Sequence, residues 1–194
     1  REGGCLYVDK TSFVFEIVSK PMSVYFLSRP RMFGKSLFLS TIKYVLEGRK
    51  DLFTGLYIHD KYNWVSTYSV IHLDFSTLEM KSATALENDF INEFYLIARH
   101  QFNIELEAPR RNTSGEDNSV CTNFRSLVRQ VLESVKPTKK LALLIDEYDA
   151  PITEHLKNLH KAKQMQTVLR NFFKCLKGVI GNFPFVYITG VTKF

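Results

Sequence analysis

At 194 residues with 45% hydrophobic and 13% aromatic content, the chain carries enough apolar side chain for one domain with a real core, which excludes a disordered or low-complexity polypeptide. Its formal net charge of +6, from 26 basic and 20 acidic residues, permits a nucleic-acid partner without arguing for one. No apolar run approaches the roughly 18 residues a membrane span needs and nothing near Arg1 reads as a signal peptide, so a cytoplasmic chain with no membrane partner is expected.

The chain begins at Arg1 without a Met and stops just after an apolar strand, so a piece of something longer is expected. Cys5, Cys121 and Cys175 are widely separated, odd in number and lack paired metal spacing. Three free thiols in a reducing compartment are the expectation.

Tyr7-Val8 reads as a short extended lead-in, and Asp9 is placed to cap a helix that turns Phe13, Val14, Ile17 and Val18 toward a core. Tyr7 is either a platform for a stacked base or ordinary core. Ser23 to Leu27 then has the β-branched and aromatic bias of a buried parallel strand. Arg29-Pro30-Arg31-Met32-Phe33-Gly34-Lys35-Ser36 follows, and Phe38, Ile42 and Val45 recur at helical spacing.

Strand, loop and helix in that order make Gly34-Lys35-Ser36 a phosphate-binding candidate. A phosphate chain needs inward backbone N–H groups, a helix N-terminus beneath it and no Cβ at the closest approach, which is the place open to Gly34. Lys35 would reach the β and γ phosphates, and the Ser36 hydroxyl would complete a Mg²⁺ shell. The usual glycine five residues before Gly34 is Arg29 here. Pro30 pushes Arg29 toward extended geometry, and Arg31 adds a second cation.

Gly48 and the run Arg49-Lys50-Asp51 end that helix, and Phe53, Leu56 and Tyr57 pack a connecting turn. Trp64 has polar neighbours in sequence. Val70 to Phe75 is a second buried strand, with His72 read as a satisfied core group and Asp74 at the strand end where ligands collect in such sheets. Thr84-Ala85-Leu86-Glu87 has the capping-box pattern, opening a helix with Leu86, Phe90, Phe94, Ala98 and Phe102 on one face.

Residues 103–119 turn polar and lose periodicity, with Pro109, Arg110, Arg111 and Gly115. A loop or insertion is expected there, its two arginines solvated or touching a nucleic acid. The next helix faces Phe124, Leu127, Val128, Val131 and Val135 inward and ends near Pro137. Leu141 to Ile145 is a fully apolar strand that ends in Asp146 and Glu147. In P-loop NTPases the acid ending such a strand holds Mg²⁺ and an adjacent Glu positions and deprotonates the attacking water.

Asp149 is placed to cap the following helix with Pro151 in its first turn, an ordering of Mg²⁺ water being the alternative. A long helix then carries Met165, Leu169, Phe172 and Leu176 on one side. Lys163, Arg170, Lys174 and Lys177 lie on another, a solvated face or a docking stripe for a nucleic acid or a second subunit. Phe185 to Ile188 is the last strand, ending at Thr189.

Tyr7-Val8-Asp9-Lys10-Thr11, Arg29-Pro30-Arg31 with Phe33-Gly34-Lys35-Ser36, Leu52-Phe53 with Gly55-Leu56, Asp146-Glu147-Tyr148-Asp149 with Pro151, and Ile188 to Phe194 together resemble the AAA-ATPase-like domain family. Met32 departs from the family, which usually has an Arg there. The resemblance covers nearly all of residues 1–194. It implies an α/β fold of the P-loop NTPase type, a three-layer sandwich with a mostly parallel sheet covered by helices on both faces. The implied spatial order is the strand at Val70, then Leu141, Phe185 and Val24.

It further implies ATP and Mg²⁺ as ligands. Nucleotide contacts would come from Arg31, Phe33, Gly34, Lys35, Ser36 and Leu37, metal ligation from Ser36 and Asp146, and catalysis from Lys35, Glu147 and Thr189, with Thr189 sensing the γ phosphate. Asp9 and Lys10 are motif positions, and Lys193 would approach the nucleotide or a neighbour's. The expected function is Mg²⁺-dependent ATP hydrolysis coupled to a partner region, in this family often a PD-(D/E)XK nuclease-like segment. The alternative is an occupancy switch with little hydrolysis that regulates such a region or a nucleic-acid-binding one. Oligomers are compatible with either, and no base-reading motif separates ATP from GTP.

Overall fold

The computed structural model of the chain describes residues 7–20, 23–106, 119–135 and 139–192. Four strands, β1 (Ser23–Ser28), β2 (Tyr68–Asp74), β3 (Lys140–Asp146) and β4 (Phe185–Gly190), form one sheet in the order β1-β4-β3-β2. Every pairing is parallel. The arrangement expected from the motifs is thus observed, read from the other edge. Parallel neighbours cannot be joined by tight turns, so helices must carry the chain back across the sheet. Among the described residues the α-helices are α1 (Thr11–Val18), α2 (Lys35–Leu46), α3 (Ala83–Phe102), α4 (Ser119–Ser134), α5 (Ala150–Thr153) and α6 (Leu159–Val179).

One face of the sheet packs under α3, α4 and α6, around Phe75, Phe90, Phe94, Phe124 and Phe172, all fully buried. Their rings interlock, Phe75 edge-on to Phe90 at 4.9 Å and Phe90 stacked on Phe172 at 5.3 Å. Burying each such ring contributes on the order of 2 kcal/mol, so this layer is the main apolar store of the fold. The cap of α3 is Ser82, whose hydroxyl accepts from Ala85 N at 3.1 Å. Thr84, the expected cap, already lies inside the helix.

Cys121 of α4 and Cys175 of α6 are joined as a disulfide with Cα atoms 5.4 Å apart. This corrects the expectation of free thiols for those two. Their separation of 54 residues hid a pairing that only helix packing creates. Cys5 lies outside the described residues, as do Pro109, Arg110, Arg111, Gly115, Pro137 and Lys193.

The opposite face packs under α1 and α2 through Val14, Val18, Leu39, Ile42, Val45 and Leu46. Helix α2 stops in a Schellman arrangement, with Arg49 N donating to Tyr44 O and Gly48 N to Val45 O, both at 3.0 Å. Gly48 takes φ +81, and a Cβ there would lie 2.5 Å from Thr67 Cγ2. Trp64 is not in a polar setting: it packs on Phe53 and Tyr62, and its indole N–H donates to His59 O at 2.8 Å. Phe13 is 59% exposed rather than core.

His72 of β2 is not the satisfied core group expected: its Nε2 is buried with no hydrogen-bond partner among the described residues. Burial, then the Lys43 charge, hold the imidazole below its ordinary pKa.

Candidate functional site

Ser28 ends β1, and the chain turns through Arg29 to Phe33 before α2 begins at Lys35. Two residues of this turn have left-handed backbone, Met32 at φ +65 and Gly34 at φ +74. Gly34 is the N-cap of α2, and a Cβ there would meet nothing within 4 Å, so the backbone conformation is what favours glycine. Arg31, Met32, Phe33, Gly34, Ser36 and Leu37 are all exposed, whereas Lys35 is only 5% exposed. The Lys35 ammonium donates to Pro30 O at 3.2 Å and has no carboxylate partner among the described residues.

A buried ammonium has three donors, and one carbonyl neither satisfies them nor neutralises the charge. Together with the first-turn N–H groups of α2, it makes the loop a receptor for an anion. Beside the loop, between α1 and α2, is a cavity of about 550 Å³ whose walls include Tyr7, Lys10, Phe13, Arg29, Phe33 and Tyr187. Among the described residues, no carboxylate lines it.

Asp146, 3% exposed, ends β3, and Thr189, fully buried, lies near the end of β4. The register pairs Ile145 with Ile188, which sets these two residues side by side. The Thr189 hydroxyl donates to Asp146 Oδ1. Glu147 N donates to the same carboxylate oxygen at 3.0 Å and to Thr189 Oγ1 at 3.2 Å. Glu147 itself has φ +46, a left-handed backbone that costs about 1–2 kcal/mol in a residue with a Cβ. Burial, then the Asp146 charge, push the Tyr187 phenol above its ordinary pKa, so the carboxylate's field reaches into the sheet.

The expected site residues therefore fall into two groups at one edge. Gly34, Lys35, Ser36 and their neighbours follow β1, while Asp146, Glu147 and Thr189 follow β3 and β4. The ends of β1 and β3 stand about 10 Å apart across the sheet, two strand spacings, with β4 and its Thr189 between them. Hydrogen bonds tie the phosphate-loop root to the end of β4: Arg29 N donates to Gly190 O at 3.2 Å, and the Ser28 hydroxyl to Val191 O at 2.9 Å.

Other candidates have local tasks. Asp9 accepts from Thr11 N at 2.8 Å and from Tyr57 N at 2.9 Å, tying the start of α1 to the turn after α2. Asp74 is in register with Asp146, but its carboxylate accepts from Ser76 N at 2.9 Å and caps its own turn. Asp149, expected to cap α5, occupies the N-cap position without a side-chain capping bond. Its carboxylate instead reaches Val191 and Thr192, a contact that no local pattern announces.

Among the described residues, no group of three or more His, Cys, Asp or Glu gathers as a metal site. That does not weigh against a cation held jointly with phosphate oxygens, which needs only one or two protein ligands. Asp146 Oδ2 and the Ser36 hydroxyl form no hydrogen bond among the described residues, so both are available to such an ion.

The family model for predicted AAA-ATPases matches residues 1–194. The chain belongs to the AAA-ATPase-like family. Membership brings an expectation of nucleotide binding and hydrolysis to the loop and acid pair described above. A protein of Azotobacter chroococcum mcd 1, described as "Uncharacterized protein in vnfD 5'region", is 33% identical over 195 residues. That match covers all of this AAA-ATPase-like chain and 35% of the relative, so the chain spans about a third of the relative's length. No solved structure matches. None of the helices among the described residues is long and apolar enough to cross a membrane.

Proposed function

We propose that the chain is a Mg²⁺-dependent ATPase. The observation that carries this reading is the buried Lys35 ammonium, without a counter-ion among the described residues, on the sheet edge where Asp146 and Glu147 also emerge. Gly34 and Lys35 cradle the phosphates, with Arg31, Phe33 and Leu37 around them. Ser36 and Asp146 hold the metal, which when bound screens the phosphate charge. Glu147 accepts the proton of the attacking water, and Thr189 orients that water or the γ phosphate.

The cavity beside the loop takes the base and ribose, with Tyr7 and Phe33 as aromatic faces. Hydrolysis drives a partner region, with a PD-(D/E)XK-like segment as the expected one, in the cytoplasm and with an oligomer compatible.

A specific observation favours a nucleic-acid contact as well. Helix α6 carries no acidic residue, and Lys163, Arg170, Lys174 and Lys177 are all exposed along it. A phosphate backbone would pair with that stripe, with a salt-dependent affinity that survives Lys35→Ala.

The test compares ATP binding and phosphate release in the wild type and in Glu147→Gln. The variant is expected to bind ATP as the wild type does and to lose about 10² to 10⁴ in turnover. Binding without turnover in either protein would replace the ATPase by a nucleotide-occupancy switch.

A further inference from the structure

Asp149 is 1% exposed and plays no part in the chemistry assigned above. Its carboxylate accepts from Val191 N at 3.0 Å, from Thr192 N at 2.7 Å and from the Thr192 hydroxyl. All three donors belong to the turn just after β4. A carboxylate suits them because it is acceptor only, whereas an amide would turn N–H groups of its own toward the same donors.

The turn is held from two further directions. Ser28 and Arg29, at the root of the phosphate loop, bond to Val191 O and Gly190 O. Tyr148 N donates to Thr189 O at 2.9 Å, and the Tyr148 hydroxyl donates to Thr192 O at 3.0 Å. There is no slack in this joint: a Cβ on Gly190 would lie 2.5 Å from the Tyr148 ring and 2.8 Å from Asp149 Oδ1. Glu147, two residues before Asp149, depends on the joint for its left-handed backbone and for its N–H bond to Thr189.

We infer that Asp149 is a positioning residue for the hydrolytic step. By clamping the 191–192 turn to the acidic loop, it holds the Glu147 carboxylate and the Thr189 hydroxyl in one arrangement relative to the phosphate loop. The inference rests on the ATPase reading and adds to it a residue that acts through Glu147 and Thr189. Charge-assisted bonds to a buried acceptor are the strong kind, so the clamp is set before a ligand arrives.

The test uses the full chain and Asp149→Asn, with ATP affinity, kcat, KM and amide hydrogen exchange measured together. Losing an outer partner of this sort costs about ten- to a hundredfold in kcat while KM for ATP stays within about threefold. Exchange is expected to quicken at Glu147 as well as at Val191 and Thr192, which a local packing defect at the turn would not produce. Thr192→Val removes one donor and nothing else from the clamp, and a smaller loss in kcat of the same kind is expected if Asp149→Asn folds poorly. A wild-type chain that turns over, matched by both variants, overturns this inference alone, as does a parallel fall of affinity and kcat. A wild-type chain that binds ATP and releases no phosphate overturns the ATPase reading and this inference with it.

Discussion

The two halves of the site are built in opposite ways. From Arg31 to Gly34 the phosphate loop is exposed, Met32 wholly so, and the buried Lys35 beneath it makes a single bond to a neutral carbonyl. Across β4, Asp146, Asp149 and Thr189 are buried and bonded to one another's loops. An unpaired cation is finished only when an anion arrives, while an internally bonded carboxylate set is in place beforehand. Affinity should therefore depend on the first half and the rate of chemistry on the second.

The sharpest way to break that division is Lys35→Ala. ATP affinity is expected to fall about a hundredfold, the worth of charge-assisted phosphate bonds. Thermal stability should not fall with it, because the change removes a buried charge that lacks a partner. A calorimetric titration beside a thermal melt checks both; unfolding at lower temperature would show that Lys35 is a structural residue.

Gly190→Ala strikes the other half. Forcing a Cβ against the Tyr148 ring and Asp149 should cost about 2 kcal/mol, or about 4–8 °C in melting temperature for a chain of this size. Turnover should suffer more than ATP affinity.

Met32→Gly relieves the φ +65 backbone of the phosphate loop. Stability should rise by up to about 1 kcal/mol, with Met32→Ala leaving it unchanged. Equal behaviour of the two in denaturant melts would show that the loop's backbone is not strained.

The smallest effect lies outside both halves, at His72. Its folded pKa is lowered, so as pH falls through about 6.5 the unfolded chain takes up the proton first and stability is lost. His72→Leu should remove that dependence on pH between pH 7 and pH 5. Melts of both proteins across that range read the difference. The wild type losing no more stability than the variant would contradict it.

What could be read from the residues was whatever local pattern decides. The apolar run from Leu141 to Ile145 ending in two acids, and the glycine and lysine between a strand and a helix, state their structure within a few positions. The sheet order came from the family motifs. What stayed hidden depends on who arrives across the fold. Asp149 reads as a helix cap because Ala150 and Pro151 follow it, yet its oxygens go to a turn more than forty residues on. Phe13 has core spacing but forms the wall of a cavity. Ser82 outcompetes Thr84 because the extended backbone before α3 falls two residues earlier. The left-handed Glu147 has no signal at all, since nothing in its neighbours calls for glycine.

The pairing of β1 with β4 has a consequence for how the protein is made. Ser28, at the root of the lysine loop, leaves the ribosome 163 residues before its partner Val191, so the loop emerges well before the strand that flanks it and bears Thr189. Until then β1 has no neighbour and the loop has no root to bond to. The pocket beside the loop is therefore complete only once β4 has emerged, and if the proposed ATP site is right, a nascent chain cut short of Phe185 should carry the loop sequence without the capacity to hold ATP.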